Sequence, residues 1–222
     1  MFKMMSGRKN LLSIGLLFVS FLAFAQHPAV QTGDLLFVGI PSDYTIRDDT
    51  TMAGAIAAAT GSDDIEYIHV AILEVDVAGG LWIIDATLKH GVARYPIDTF
   101  LTDFTLKDGS QPLLRIMRLN DNRNAAVYVE NAKHFCGLVY NMAFVPDPKA
   151  KYCSELVRDS YIENGQYLFT ASPMNFMGPD GTFPPYWVQL FELIGQPIPQ
   201  GVLGTNPSDM IKEKCIHFVG DW

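Results

Sequence analysis

Five runs of β-branched and large apolar residues, 33–40, 66–75, 81–87, 92–95 and 112–119, are each bounded by Gly, Pro or Asp. Such runs read as strands, and the short connections through the middle of the series leave no room for the crossover that parallel neighbours need. The chain is therefore expected to build a meandering antiparallel sheet in an α+β fold. Helical stretches are fewer. Residues 51–60 are alanine-rich and closed by Gly61, residues 123–140 follow Asn120 or Asp121 as cap, residues 153–164 are closed by Gly165, and residues 185–194 begin at Pro185. Within 153–164, Leu156, Val157 and Tyr161 share one face while Arg158, Asp159 and Glu163 occupy the other. Cys153 thus sits in the first turn of an amphipathic helix. Beyond residue 194 a loop-rich tail is expected to wrap the core.

The first 25 residues stand apart. Lys3, Arg8 and Lys9 precede an apolar run, 11–24, that ends in Ala23-Phe24-Ala25, the pattern of a secretory signal peptide cut before Gln26. The run is shorter than the roughly 20 residues of a membrane-spanning helix, so an uncleaved anchor is the minor alternative. No cysteine lies near the cut to carry a lipid. Cleavage leaves residues 26–222, the size of one domain with a substantial core, placed in the bacterial periplasm or the medium with no stable membrane insertion. It removes three basic residues and no acidic ones, so 13 basic side chains face 24 acidic ones and the formal charge moves from −8 to −11. Binding a phosphate backbone needs clustered Lys and Arg. None occur, and nucleic acid is excluded as a partner.

Cys136, Cys153 and Cys215 make an odd set for an oxidising compartment. Cys136 and Cys215 either pair or remain small buried hydrophobes; Cys153 is the candidate reactive thiol. A thiolate is stabilised by the unpaired N–H groups and positive dipole at a helix N-terminus, and Pro146 and Pro148 interrupt the chain just before the Cys153 helix begins. Such a thiolate needs a base, normally histidine, oriented by a third polar group. His27, His90, His134 and His217 fall at the mature N-terminus, in a turn, in a helix and in the tail. His69 lies mid-strand in Ile68-His69-Val70-Ala71-Ile72, where a polar side chain is costly unless hydrogen-bonded.

Strand alternation puts Tyr67, His69, Ala71 and Leu73 on one face, and Leu81, Ile83, Asp85 and Thr87 together in the next strand. Asp85 is the one charge in its run. A hairpin loop of three residues sets His69 and Asp85 opposite each other, one of five makes them diagonal neighbours, and an even number separates them onto opposite faces. Asp34 reads as a turn or sheet-edge residue. No histidine or cysteine spacing suggests a metal, and no cofactor is expected.

Taken in order, Gly33-Asp34-Leu35-Leu36-Phe37, Ile68-His69-Val70-Ala71-Ile72, Ile84-Asp85-Ala86 and Lys151-Tyr152-Cys153-Ser154-Glu155-Leu156-Val157 resemble the YiiX-like branch of the NlpC-type papain-related hydrolases. The likeness continues through Gly137-Leu138-Val139-Tyr140-Asn141 and, in the tail, through Ile198-Pro199-Gln200-Gly201 and Gly204-Thr205-Asn206-Pro207. It implies a circularly permuted papain-like fold, with the histidine strands ahead of the cysteine helix and the sheet packed against that helix. It implies Cys153 as nucleophile, His69 as base and Asp85 in the third position, where similar proteins carry glutamate; aspartate still accepts the imidazole N–H with about one methylene less reach. Tyr152, next to the nucleophile, is a candidate substrate-binding residue.

Three functions follow from this reading. The first is a cysteine amidase or peptidase that cleaves a small peptide amide, such as a cell-wall peptide, through a thioester. The second is an acyl hydrolase or acyltransferase on lipid-derived amides or esters, for which the aromatic stretch 183–191 either lines an apolar groove or simply packs the C-terminal helix into the core. The third is a ligand-binding module with an inactive site.

Overall fold

The strand runs assemble as one antiparallel sheet, with a sixth member that the sequence reading did not anticipate. The computed structural model describes residues 28–41, 51–60 and 65–222; the expected signal peptide, its cleavage site and His27 lie outside them. Strands β1 (Asp34–Pro41), β2 (Ile65–Val75), β3 (Leu81–Thr87), β4 (Gly91–Pro96), β5 (Leu113–Leu119) and β6 (Ile216–Asp221) run in the order β6-β5-β1-β2-β3-β4. Every neighbouring pair is antiparallel. The tail is therefore more than a wrap: β6 pairs with β5, which would otherwise be an exposed edge.

The sheet is covered on both faces, which is why its strands read as nearly continuous apolar runs. On one face Leu35, Phe37, Val70, Ile72 and Ile84 pack with Tyr128 and Val129 of α3 (Ala125–His134) and with Leu156 and Val157 of α4 (Cys153–Ser160). On the other, Leu36, Ala71, Leu73, Ile83 and Tyr95 pack with Ile97 and Phe100 of α2 (Ile97–Asp103), a helix not expected from the sequence. A third cluster, built on Phe144, Phe176, Trp187 and Phe191, joins α1 (Met52–Thr60) to α5 (Pro185–Ile194) beside the start of α4.

Two expected helices are shorter than their periodicity suggested. The 123–140 stretch is helical only over Ala125–His134. Gly137 takes a φ of 95°, and the backbone of Gly137 and Leu138 is captured by both polar groups of Val92 on β4. The 153–164 stretch ends at Ser160, because Asn164 and Gly165, with φ of 50° and 78°, form the turn of a small hairpin between Ile162–Glu163 and Gln166–Tyr167. Asn-Gly is the strongest two-residue hairpin signal, and here it outweighs the helical pattern.

A third departure bears on the site. The β1–β2 register runs from Val38–His69 to Gly39–Tyr67, so Ile68 is an extra residue in β2, a β-bulge. Past the bulge the faces exchange. Tyr67 packs with Val70 and Ile72, not on the His69 face as alternation implied, and Ile68 joins Ala71 and Leu73. Cys136, Cys153 and Cys215 are all free thiols, Cys136 exposed and Cys215 half-buried. None of the described helices is long and apolar enough to cross a membrane.

Asp34 opens β1 and is wholly buried. Arg118 of β5 donates to both its oxygens, at 2.6 and 2.7 Å, and the Gln31 N–H donates at 2.7 Å. Removing one partner of such a pair strands a buried charge. Arg118→Ala is accordingly expected to lower the unfolding free energy by about 3 kcal/mol, read from the urea midpoint at constant slope; an unchanged midpoint would show that water reaches Asp34.

Candidate active site

The β2–β3 hairpin decides whether His69 and Asp85 can meet. Its loop spans the five residues 76–80, and the ladder runs from Val75–Leu81 to Ile72–Ile84. The loop has this length because Asp76 folds it: its carboxylate accepts the N–H groups of Ala78 and Gly80 and the indole N–H of Trp82, each at 2.8 Å. An odd loop keeps His69 and Asp85 on one face as diagonal neighbours. His69 Nε2 and Asp85 Oδ2 lie 2.9 Å apart, with His69 7% and Asp85 1% exposed. Phe104, just past α2, stacks obliquely on the imidazole with ring centroids 4.7 Å apart, and so shields it from water.

The other oxygen of Asp85 accepts the Tyr95 hydroxyl at 2.7 Å. The sequence reading did not single out Tyr95, although a signal was available. Tyr95 pairs with Ile83, and Asp85 pairs with Ala93, so period-two alternation along β4 puts Tyr95 on the Asp85 face.

Cys153 is the first residue of α4. Tyr152 before it is extended, and the first helical bond runs from the Leu156 N–H to the Tyr152 carbonyl at 2.9 Å. The N–H groups of Cys153 and Ser154 therefore have no acceptor within the helix. Behind them, Glu155 accepts the Tyr152 N–H at 3.3 Å, the Asn141 amide at 3.2 Å and the Lys151 ammonium at 3.2 Å. An acidic residue in the first turn complements the helix dipole, and this network fixes the turn that presents the thiol.

Pairing between β2 and β3 ends at Ile72–Ile84. In the bulged stretch beyond it, His69 meets the α2 aromatics as well as the Cys153 thiol of α4. Burial pulls the His69 pKa down, but the neighbouring Cys153 and the hydrogen bond with Asp85 outweigh it, lifting it from 6.5 to about 10. With Nε2 engaged by Asp85, Nδ1 is the nitrogen left for the sulfur. The three expected residues are thus brought together.

Tyr152 is placed differently from a free substrate ligand. Its hydroxyl accepts the Thr205 N–H at 3.1 Å and faces the Met174 sulfur at 3.8 Å, bracing the tail against the start of α4. Its ring still helps line a cleft that opens beside Cys153, walled by Ile56, Tyr140, Phe144, Phe176 and Trp187. None of the described residues lining this cleft is charged. Trp187 answers both readings of the 183–191 stretch: its ring is core, yet one side forms cleft wall. Burial and the Cys153 charge hold the Tyr140 phenol well above its ordinary pKa.

A sheet carrying histidine and aspartate strands ahead of a helix that opens on a cysteine is the permuted papain-like arrangement. Residues 29–220 match the family described as permuted papain-like amidase enzyme, YaeF/YiiX, C92, and the chain belongs to that family of amidases. Among solved structures it resembles the metalloprotein yiiX from Escherichia coli O157:H7, with a TM-score of 0.64 and 20% identity over 86% of this chain and 97% of that one. No curated protein matches. That neighbour is described as a metalloprotein; in the present chain, no group of three or more His, Cys, Asp or Glu side chains among the described residues is arranged to hold a metal ion.

If Cys153 and His69 form a thiolate–imidazolium pair, iodoacetamide should modify Cys153 rapidly below pH 7, and His69→Ala should abolish that fast phase. Mass spectrometry locates the adduct. Slow labelling that ignores the His69 substitution would dissolve the pair.

Proposed function

We propose that the protein is a secreted cysteine hydrolase that opens a small amide through a thioester on Cys153. The observation that carries this reading is the buried 2.9 Å contact between His69 Nε2 and Asp85, with Cys153 at the open N-terminus of α4 against the same imidazole. The Cys153 thiolate attacks the carbonyl carbon, and the oxygen takes up negative charge beside the free N–H groups of Cys153 and Ser154. The imidazolium of His69 gives its proton to the departing amine, leaving a thioester and a neutral imidazole. Water then loses a proton to His69 as it attacks the thioester, releasing the acid and restoring the ion pair. Asp85 holds the ring through Nε2 and stabilises its charged form.

Export by the N-terminal leader would bring cell-wall peptides within reach. The cleft favours the second substrate reading, an amide or ester whose acyl part is lipid-derived. Cell-wall peptides carry carboxylates and amines that need ionic partners when buried, and the described lining residues, mostly aromatic and aliphatic with neutral polar groups such as Asn175 and Asn206, include no Asp, Glu, Lys or Arg. An inactive binding module is the remaining competitor, and it requires an unreactive Cys153.

Mixing the protein with an N-acyl p-nitroanilide should yield an acyl adduct confined to Cys153 in quenched-flow mass spectra. Cys153→Ala should lower turnover by at least about 10³-fold. A folded protein that binds the amide with neither adduct nor turnover would establish the binding module. The chemistry needs His69 as its imidazolium, so activity should persist well above the ordinary histidine pKa of 6.5 and fall only as pH rises towards about 10; a basic limb near 6.5 would contradict the assigned roles.

A further inference from the structure

Asp85 is a buried carboxylate held by two side chains among the described residues, His69 at Oδ2 and Tyr95 at Oδ1. The torsion that turns a carboxylate about its Cβ–Cγ bond is soft and nearly two-fold. A single hydrogen bond to His69 therefore leaves Asp85 free to rotate. We propose that Tyr95 is a positioning residue for the amidase site: by holding Oδ1 of Asp85, its hydroxyl turns Oδ2 onto His69 Nε2.

This rests on the roles given to Cys153, His69 and Asp85 above, and several features of Tyr95 suit it. Tyr95 is 8% exposed and belongs to the core cluster of Ile83, Ile97 and Phe100, so its ring has little freedom. Burial and the neighbouring Asp85 charge push its phenol far above the usual range, which keeps the hydroxyl a donor at any working pH. Cys153 acts on His69, and the buried Tyr140 phenol feels both Cys153 and Asp85. The His90 ring packs on Tyr95 at 4.9 Å and is itself bound to Asp103 at 2.7 Å. Asp103 also binds Lys89 and adds to the field that keeps Tyr95 protonated.

Without the hydroxyl, Oδ1 of the buried Asp85 loses the donor that orients the carboxylate. The carboxylate can then swing away, which weakens its hold on the imidazolium. The test is the titration of His69 in the intact protein, followed through its imidazole nitrogens by ¹⁵N NMR. The forms compared are wild type, Tyr95→Phe, Asp85→Ala and the double variant, with Asp85→Asn replacing Asp85→Ala if the alanine form does not fold. Tyr95→Phe keeps the ring and its packing, and should weaken proton affinity at His69 about tenfold, one pKa unit. Asp85→Ala should weaken it further, and adding Tyr95→Phe to it should change nothing more, the non-additivity expected of residues acting through one another.

A His69 titration unmoved by Tyr95→Phe, or moved equally in the Asp85→Ala background, would overturn the proposal. Failure of the underlying reading looks different: His69 in the wild type would titrate near 6.5 and ignore replacement of Cys153 by alanine.

Discussion

A carboxylate taken from water into a protein interior costs several kcal/mol unless its oxygens meet donors. Asp85 is buried to 1% exposure at the heart of this sheet, and much of the surrounding architecture answers to it. His69 meets one oxygen and Tyr95 the other. The Asp76-bound loop sets the parity that lets His69 reach it, and Phe100 of α2 with Phe104 just past it forms the aromatic wall over the imidazole. The roles proposed for His69, Asp85 and Cys153 make three otherwise awkward residues compatible with an apolar surrounding, because paired charges are stable where a lone one would not be. The second buried carboxylate, Asp34, is treated differently, locked by a bidentate arginine. One charge is neutralised permanently; the other is shared with a group that can move its proton.

The parts of the site that were legible in the sequence were those that break a local pattern. His69 and Asp85 stood out as polar residues in apolar runs, and Cys153 as the first residue of an amphipathic helix. Five sheet strands and the position of α4 followed from periodicity and from Gly and Pro punctuation. What escaped was set by tertiary pairing or by competition between local signals. The bulge at Ile68 arises from register with β1, which no property of β2 alone reveals. Asn164-Gly165 could end a helix or turn a hairpin, and the pairing of Ile162 with Tyr167 selected the hairpin. β6 is a short segment whose apolar residues gain a partner only once β5 lies beside them. Tyr95 looked like any aromatic strand residue because its importance lies in a bond made across the sheet.

The papain-like chemistry also depends on a surface remote in sequence. The cleft beside Cys153 draws walls from α1, from the segment around Phe144, from α5 and from the stretch ending at Pro207. Its largely apolar lining suits the mechanism proposed for Cys153 and His69. An apolar group seated there would exclude water, and the proposed interaction of thiolate and imidazolium strengthens as the local dielectric falls.

The bond between the Thr205 amide and the Tyr152 hydroxyl has a consequence in time as well as in space. The two residues are 53 positions apart, and Ser154 reaches the Thr205 carbonyl across a similar gap, at 3.0 Å. A ribosome that has just completed α4 has made the three residues of the proposed site but none of this brace. Between those moments, Cys153 belongs to a helix whose first turn lacks its outer support and whose cleft lacks a wall. The setting of the proposed site is completed late in the chain's own synthesis.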